Sequence, residues 1–277
     1  MTKPKNVGII FNILMIALSI PILVVGIMIE KKADRQCGSP NTDTGKALTA
    51  AAGTLISVAV VGLLLNICEL TCKGCRCFWF WLYVLFMVVC IVVGLGYTIF
   101  ILNVSSKGSG IKLAGKGYQE YKLGSYSKHL QKMVKDDWNS TKACLIKTDV
   151  CTKFNNKYLN DTVEKFYKEP LTAIQSGCCK PSDGCGFTYS SPANWSDEIG
   201  VSDKNPDCKA WDNDPKVKCF NCESCKGAVA DNLKNAYKKL GIISIVFNVP
   251  LVIVFVAYLF LRNKNPAEDD MTFDRNY

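Results

Sequence analysis

The chain has 277 residues, 49% of them hydrophobic, with a formal net charge of +9 and a positive mean hydropathy. One or two soluble domains would fit this length but not this apolar content, so the composition favours a membrane protein. Four stretches of roughly 19–25 residues lack charged side chains, which is the length that crosses a hydrocarbon core about 30 Å thick. They are residues 7–29, 49–67, 78–102 and 241–261.

The first apolar stretch has one feature of a secretory signal, because Lys3 and Lys5 precede it. It is longer than the apolar region of a signal peptide, however, and residues 30–34 after it offer no small-residue cleavage site. We therefore predict that it is retained as a membrane span.

The first two spans share a spacing that places small and polar residues on one helix face. Such residues let two membrane helices approach closely, and Asn12 can form a hydrogen bond across the contact. The pattern predicts a packed helix pair, with a lipid-facing helix that carries scattered small residues as the alternative. The positions are Gly8, Asn12, Met15, Ser19, Ile22 and Gly26 in the first span, and Ala52, Leu55, Ala59, Gly62 and Asn66 in the second.

A turn with four cysteines follows the second span: Cys68, Cys72, Cys75 and Cys77. We place this turn in the reducing cytosol, where disulfides are not expected. Cysteines beside Lys and Arg at a membrane surface are typical sites of reversible S-palmitoylation. Free thiols are one alternative and a zinc site is another, although the spacing lacks the paired knuckles of structural zinc sites.

The long segment after the third span is predicted to be mostly helical. Residues 126–138 have helical apolar spacing, while glycines between positions 108 and 117 interrupt any helix that continues from the span. Residues 229–240 form an apolar stripe that runs into the fourth span, which predicts one continuous helix of about 35 residues. Within that helix, Asn248 can bond to a backbone group freed by Pro250.

The side of the membrane follows from the chemistry of this long segment. It contains nine of the fifteen cysteines and the acceptor sequons at Asn139, Asn160 and Asn194, which suit an oxidising lumen. Asn103-Val-Ser also fits the sequon pattern, but it is discounted because it lies at the membrane edge. The fold class is therefore an all-α membrane protein, a bundle of four transmembrane helices with a small and a large disulfide-bonded extracellular loop. Its predicted segments are a cytoplasmic N-terminus 1–6, span 7–29, small extracellular loop 30–48, span 49–67, cytoplasmic cysteine-rich turn 68–77, span 78–102, large extracellular loop 103–240, span 241–261 and cytoplasmic tail 262–277.

Two adjacent cysteines, Cys178 and Cys179, mark the centre of the large loop. A bond between neighbours would close a strained ring, so each must bond to a different partner. Pro170 and Gly177 predict a short helix that begins near the proline and ends just before the glycine, which delivers the chain to this pair.

These features resemble the tetraspanin family over nearly the whole chain. The resemblance lies in the four spans, the juxtamembrane cysteines and Gly177-Cys178-Cys179-Lys180-Pro181 followed by Cys185-Gly186. Features similar to the plant branch of that family are Cys144-x6-Cys151, Asn205-Pro-Asp-Cys208 and Cys219-x2-Cys222-x2-Cys225.

The resemblance implies a set of disulfides in the large loop. Cys178 is expected to pair with Cys225, near the fourth span, and Cys179 with Cys208 or Cys219. Cys144 with Cys151 is the simplest local pair, and whether Cys37 in the small loop takes the remaining cysteine is open, because ten cysteines allow hundreds of pairings.

No enzymatic chemistry is predicted. His129 is the only histidine, and the chain has no paired-carboxylate or phosphate-binding motif. The overlapping CxxC patterns of residues 219–225 elsewhere indicate redox exchange or metal binding, but among so many outer cysteines structural disulfides are expected. No cofactor or metal is expected.

The resemblance implies a membrane scaffold that organises partner proteins into microdomains, with a role in cell differentiation, development or vesicle traffic. A channel or transporter subunit is the alternative, but no span contains an ionisable residue, and we interpret Asn12 and Asn248 as helix–helix contacts. Trp195 and Trp211 are candidate partner-binding residues, with burial as the alternative. The expected partners are other membrane proteins, further copies of itself or other tetraspanins, and membrane lipids including sterol, but not nucleic acid. The expected location is the plasma membrane, with endosomal and extracellular vesicle membranes as further locations.

Overall fold

The computed structural model describes residues 4–35, 39–68, 76–196 and 205–264. Four long helices account for much of this part: α1 (Pro4–Arg35), α2 (Ser39–Cys68), α3 (Arg76–Ser106) and α10 (Glu223–Lys264). The elements between α3 and α10 are β1 (Ile111–Lys112), β2 (Gln119–Glu120), α4 (Lys128–Asp136), α5 (Trp138–Lys147), α6 (Val150–Tyr158), α7 (Val163–Lys168), α8 (Ala173–Cys178), β3 (Thr188–Ser191), β4 (Asn194–Ser196) and α9 (Pro206–Ala210).

Each of the four predicted spans lies within one of the long helices. Among the residues whose side chains the structure describes, two apolar helical stretches are long enough to cross a membrane, Trp81–Ser106 in α3 and Glu223–Ala257 in α10. Where the side chains are described, the apolar stretches of α1 and α2 are shorter, at Asn12–Met28 and Ala52–Leu64. Pro21 and Pro250 lie inside α1 and α10 without ending them.

The chain divides into two compact units. The first consists of Met1–Lys31, Asp43–Phe100 and Leu240–Tyr277. Its core contains side chains from all four long helices, among them Met15, Ala59, Met87 and Phe255. Most of the remaining apolar side chains on these helices are exposed, as lipid-facing residues would be.

The second unit consists of Lys32–Thr42 and Ile101–Lys239, and an aromatic cluster forms part of its core. The fully buried ring of Phe166 stacks on Tyr189 with centroids 4.4 Å apart, and Phe154, Tyr158 and Trp195 meet it edge-on. Edge-to-face and offset contacts of this kind stabilise a core beyond the area that they bury.

The structure differs from the sequence-based expectation in two details of the large loop. Residues 126–138 do not form one helix, because the backbone leaves helical pairing at Asp137 and divides the segment into α4 and α5. Two short antiparallel pairs, β1 with β2 and β3 with β4, were not predicted. Strands of two to four residues are too short for a periodic pattern to reveal them.

Candidate functional site

The adjacent cysteines of the large loop bond to two different helices. Cys178 forms a disulfide with Cys225 at the start of α10, which is the pair that the resemblance implies, and Cys179 forms one with Cys151 in α6. All four residues are buried. The dipeptide Cys178-Cys179 at the end of α8 thus fixes α6 and α10 to one point. We call the four cysteines of these two disulfides the knot.

Gly177 was predicted just past the end of the short helix, but it lies inside α8, and the reason is packing. A Cβ at this position would lie 2.6 Å from the carbonyl oxygen of Ser224 and 2.6 Å from the Cβ of Ala228, closer than real contacts allow. The hydroxyl of Ser224 also donates a hydrogen bond of 3.1 Å to the carbonyl oxygen of Gly177. Glycine is therefore required because α8 lies directly against α10.

Two further disulfides fasten the segment between the knot and α10. Cys185 bonds to Cys208 in α9, and Cys219 bonds to Cys222 immediately before α10. Cys219 and Cys222 are both fully buried, so this CxxC pair is closed to the solvent that redox exchange requires. Cys144 is disulfide-bonded as well.

Two of the expected pairings are wrong. Cys144 does not bond to Cys151, and Cys179 bonds to neither Cys208 nor Cys219. The reason is helix geometry: Cys151 is on the buried side of α6, which packs against α8, so its sulfur lies beside Cys179. Asp149, in the left-handed conformation with φ 52°, separates α5, which carries Cys144, from α6, which carries Cys151.

Lys180, which follows the knot, is a buried cation. Its Nζ donates hydrogen bonds of 3.0 Å to the carbonyl oxygen of Pro181 and 3.2 Å to Oδ1 of Asp183. Oε1 of Glu120 is 3.9 Å away, and the ring centroid of Tyr118 is 4.6 Å away. Burial lowers the pKa of Lys180, and the two carboxylates oppose that effect by stabilising the charged amine.

Asp183 and Glu120 extend this charged cluster. Asp183 also forms a short ion pair with Lys116, so it bridges two lysines. Oε1 of Glu120 accepts a hydrogen bond of 3.1 Å from the hydroxyl of Ser182 and another from the backbone amide of Asp183. The cluster thus joins β2 to the turn that follows the knot, which sequence reasoning missed because buried cations have no periodic signal.

Trp195 and Trp211 are both buried, so neither offers a surface to a partner. Trp195 lies opposite Tyr189 in the β3–β4 pair, and its backbone exchanges two hydrogen bonds, of 2.9 and 3.0 Å, with the side chain of Asn213. Trp211 packs against Phe187, and the Nζ of Lys218 lies 5.0 Å from its ring centroid. The prediction of partner contact is corrected to a core role, because both indoles pack on aromatic rings inside the loop, and Trp211 has a lysine over its ring as well.

The sequon asparagines are exposed and far apart along the loop. Asn139 is in the first turn of α5, Asn160 lies between α6 and α7, and Asn194 begins β4. Each side chain faces solvent, where an attached glycan would meet no core residue.

Polar side chains within the long helices bond to one another. Asn12 of α1 is buried, and its Oδ1 accepts a hydrogen bond of 3.0 Å from the hydroxyl of Tyr83 in α3. A Cβ on Gly62 of α2 would lie 2.3 Å from the same oxygen, so three helices meet at this amide. Asn12 therefore reaches across to α3 and not only to α2.

Asn248 was predicted to bond to a backbone group freed by Pro250, but it bonds to side chains instead. Its Nδ2 donates to the hydroxyls of Ser244, at 3.0 Å, and of Thr98 in α3, at 3.3 Å. Those two hydroxyls are 2.6 Å apart, and a Cβ on Gly94 would lie 2.9 Å from the Oδ1 of Asn248. One hydroxyl on α3 and one on α10 thus accept the hydrogen bonds of this amide.

Several predicted site residues lie outside the described part of the chain. These are Cys37, Cys72 and Cys75, and the side chains of Cys68, Cys77 and Asn66. Among the residues and side chains that are described, no group of three His, Cys, Asp or Glu residues could hold a metal ion. His129 is exposed on α4.

Comparison with known proteins finds relatives that are similar along most of the chain. A sequence profile described as the Tetraspanin family matches residues 5–263. Tetraspanin-8 of Arabidopsis thaliana is 41% identical over 270 residues, which cover 97% of this chain and 95% of the relative. Tetraspanin-7 of Arabidopsis thaliana is 39% identical over 248 residues (89% and 90%), and Protein TORNADO 2 of the same plant is 35% identical over 159 residues (57% and 58%). No solved structure matches the chain.

Proposed function

Because the chain belongs to the tetraspanin family, we propose that it organises partner membrane proteins into microdomains through its large disulfide-bonded loop. Tetraspanins are non-enzymatic membrane scaffold proteins, so the chain is a membrane scaffold and not an enzyme. The partners in this proposal are other membrane proteins, further copies of this chain or other tetraspanins, and lipids including sterol, with nucleic acid excluded. The proposed processes are cell differentiation, development and vesicle traffic.

The proposed topology has four spans with both termini in the cytoplasm. Its support is that residues 7–29, 49–67, 78–102 and 241–261 each lie inside a long helix. Disulfides in residues 151–225 suit an extracellular position for segment 103–240, with segment 30–48 on the same side and segments 1–6, 68–77 and 262–277 inside. The proposed location is the plasma membrane, with endosomal and extracellular vesicle membranes as further sites.

The observation that carries the proposed role is the knot, since it rigidifies the loop that would meet a partner. A surface that is ordered before binding loses less conformational entropy when it binds. With both tryptophans buried, the exposed apolar side chains of the loop are the candidates for contact with a partner protein. In the described residues these are Ile111, Leu159, Val163 and Val217, with Leu159 and Val163 on either side of the turn between α6 and α7.

Covalent modifications are part of the proposal. N-glycans on Asn139, Asn160 and Asn194 would decorate exposed positions, and S-palmitoyl groups on Cys68, Cys72, Cys75 and Cys77 would enter the inner leaflet. Replacing these four cysteines with serine should abolish hydroxylamine-sensitive acylation. An unchanged acyl-exchange signal would contradict the assignment.

Proximity labelling directed to the outer loop, followed by capture in mild detergent, tests the scaffold role. We expect the same neighbouring membrane proteins in repeated experiments, and we expect the double variant Leu159→Glu/Val163→Glu to lose some of them. Lys168→Glu is the control, because Lys168 is also exposed on α7. Ion flux from purified protein in liposomes, without reproducible neighbours, would instead favour a channel or transporter subunit.

A further inference from the structure

Cys144 is disulfide-bonded, and its partner is none of the other eight cysteines of the large loop. Those eight are joined in four bridges, Cys151–Cys179, Cys178–Cys225, Cys185–Cys208 and Cys219–Cys222. Six cysteines of the chain remain: Cys37, Cys68, Cys72, Cys75, Cys77 and Cys90. Cys90 is a free thiol, so five candidates are left.

The redox environment separates these five candidates, and this step rests on the proposed topology. In that topology the turn 68–77 is cytoplasmic, where thiols stay reduced, whereas Cys37 and Cys144 are both outside. Cys37 is then the one cysteine outside the large loop that shares its oxidising compartment.

We propose that Cys37 and Cys144 form a fifth outer disulfide, which fastens the segment between α1 and α2 to α5. The bridge closes a covalent ring that contains α2, α3 and α4. The small outer segment and the large loop are thereby one covalently joined body, and a partner that binds the large loop meets both.

The bond forms by exchange with a disulfide donor of the secretory lumen. The thiolate of one cysteine attacks a donor sulfur, which gives a mixed disulfide and one donor thiol. The thiolate of the second cysteine then displaces the remaining donor sulfur as a thiol. The protein loses two protons and two electrons, and the donor disulfide is reduced to two thiols.

Disulfide mapping of the purified full-length protein tests the bridge directly. Free thiols are blocked with N-ethylmaleimide under denaturing conditions, and the protein is cleaved with trypsin without reduction. Cleavage after Arg35, Lys46, Lys142 and Lys147 places the two cysteines on separate peptides, residues 36–46 and 143–147. We expect these two peptides as one mass that separates on reduction. A maleimide adduct on 143–147, or its attachment to any peptide other than 36–46, would overturn the proposal.

Substitution gives a second readout that needs no linked peptide. Cys37→Ser should raise maleimide labelling of 143–147 from near zero to near completion, and Cys144→Ser should do the same for 36–46. Cys90→Ser, which removes a free thiol, should change neither peptide. If 143–147 stayed unlabelled in Cys37→Ser, the proposal would be wrong. None of these measurements depends on finding a partner protein, so a failed scaffold experiment leaves this result unaffected.

Discussion

The carboxylate of Asp207 in α9 accepts a hydrogen bond of 2.9 Å from the backbone amide of Ser224 in α10. Its other oxygen accepts one of 2.7 Å from the amide of Glu223, and the side chain is buried. The first amides of a helix have no partner within it and carry partial positive charge. A residue from another helix, and not a local cap, thus satisfies the start of α10 beside the knot.

Asp207→Ala should lower the free energy of unfolding of the loop by about 2 kcal/mol, because the amides of Glu223 and Ser224 lose their acceptor at the start of α10. The measurement is denaturant unfolding of the full-length protein in detergent, followed by tryptophan fluorescence without reductant. Asp136→Ala removes an exposed carboxylate from α4 and should change the value by less than about 0.5 kcal/mol. Equal effects of the two variants would contradict the capping role.

Lys180→Met should destabilise the loop by about 3 kcal/mol, since it leaves Glu120 and Asp183 without their buried counter-ion. Adding Glu120→Gln and Asp183→Asn to the same variant should recover part of the loss. The same unfolding measurement applies, with Lys216→Met at an exposed position as the control. A triple variant less stable than Lys180→Met would show that charge pairing is not the reason for the lysine.

Lys218 should make the stability of the loop rise with pH above about 8. Burial lowers the pKa of Lys218 from 10.5 to about 8 in the folded protein. Between these values the unfolded chain binds a proton that the folded chain does not, so raising the pH favours folding. The unfolding free energies of the wild type and of Lys218→Met are measured from pH 7 to 9.5 with free thiols blocked. The value for the wild type minus the value for the variant should increase with pH. A flat or falling difference would contradict the assignment.

The stability lost when a disulfide is removed should increase with the number of residues between its two cysteines. The chain-entropy relation gives about 4 kcal/mol for Cys178–Cys225, separated by 47 residues, and about 2 kcal/mol for Cys219–Cys222, separated by three. Cys178→Ser, Cys225→Ser and the double variant should lose similar stability and be retained in the secretory pathway. Normal surface delivery of Cys178→Ser and Cys179→Ser would argue against the knot as the anchor of the loop.

Gly62→Ala should destabilise the helix bundle by about 1 kcal/mol, because its Cβ displaces Asn12 from the hydroxyl of Tyr83. Asn12→Ala should cost less in the Gly62→Ala background than in the wild type. Thermal unfolding in detergent measures both, and Gly53→Ala is the matched control because nothing lies within 4 Å of its Cβ position. Strictly additive effects of the two substitutions would contradict the contact.

The long helices and the position of the knot could be predicted because they depend on local properties. An uncharged run of sufficient length is apparent without any neighbour, and adjacent cysteines require two partners wherever they lie. The continuous helix from the loop through residue 261 was predicted for the same reason, since no breaker ends its apolar stripe, and the structure extends it to Glu223–Lys264.

The features that could not be predicted depend on contacts distant in the chain. Cys151 bonds to Cys179 because α6 happens to pack on α8, and the local spacing of Cys144 and Cys151 has no bearing on that. Glycine is common just past the end of a helix, which is why Gly177 was placed there. Its actual requirement comes from the close contact with α10. The burial of Trp195 and Lys180 likewise depends on aromatic rings and carboxylates supplied by other segments.

Cys179 bonds to a residue before it in the chain and Cys178 to one after it, which has a consequence for biosynthesis. When Cys179 is made, its partner Cys151 has already been translated, whereas Cys178 requires Cys225, which belongs to the last helix. At roughly 5–20 residues per second, the ribosome needs a few seconds to cover the interval. During that interval Cys178 has no native partner, whereas Cys179 already has one. The Cys178–Cys225 bond can therefore close only after translation has reached α10, so the two knot disulfides become possible in a fixed order.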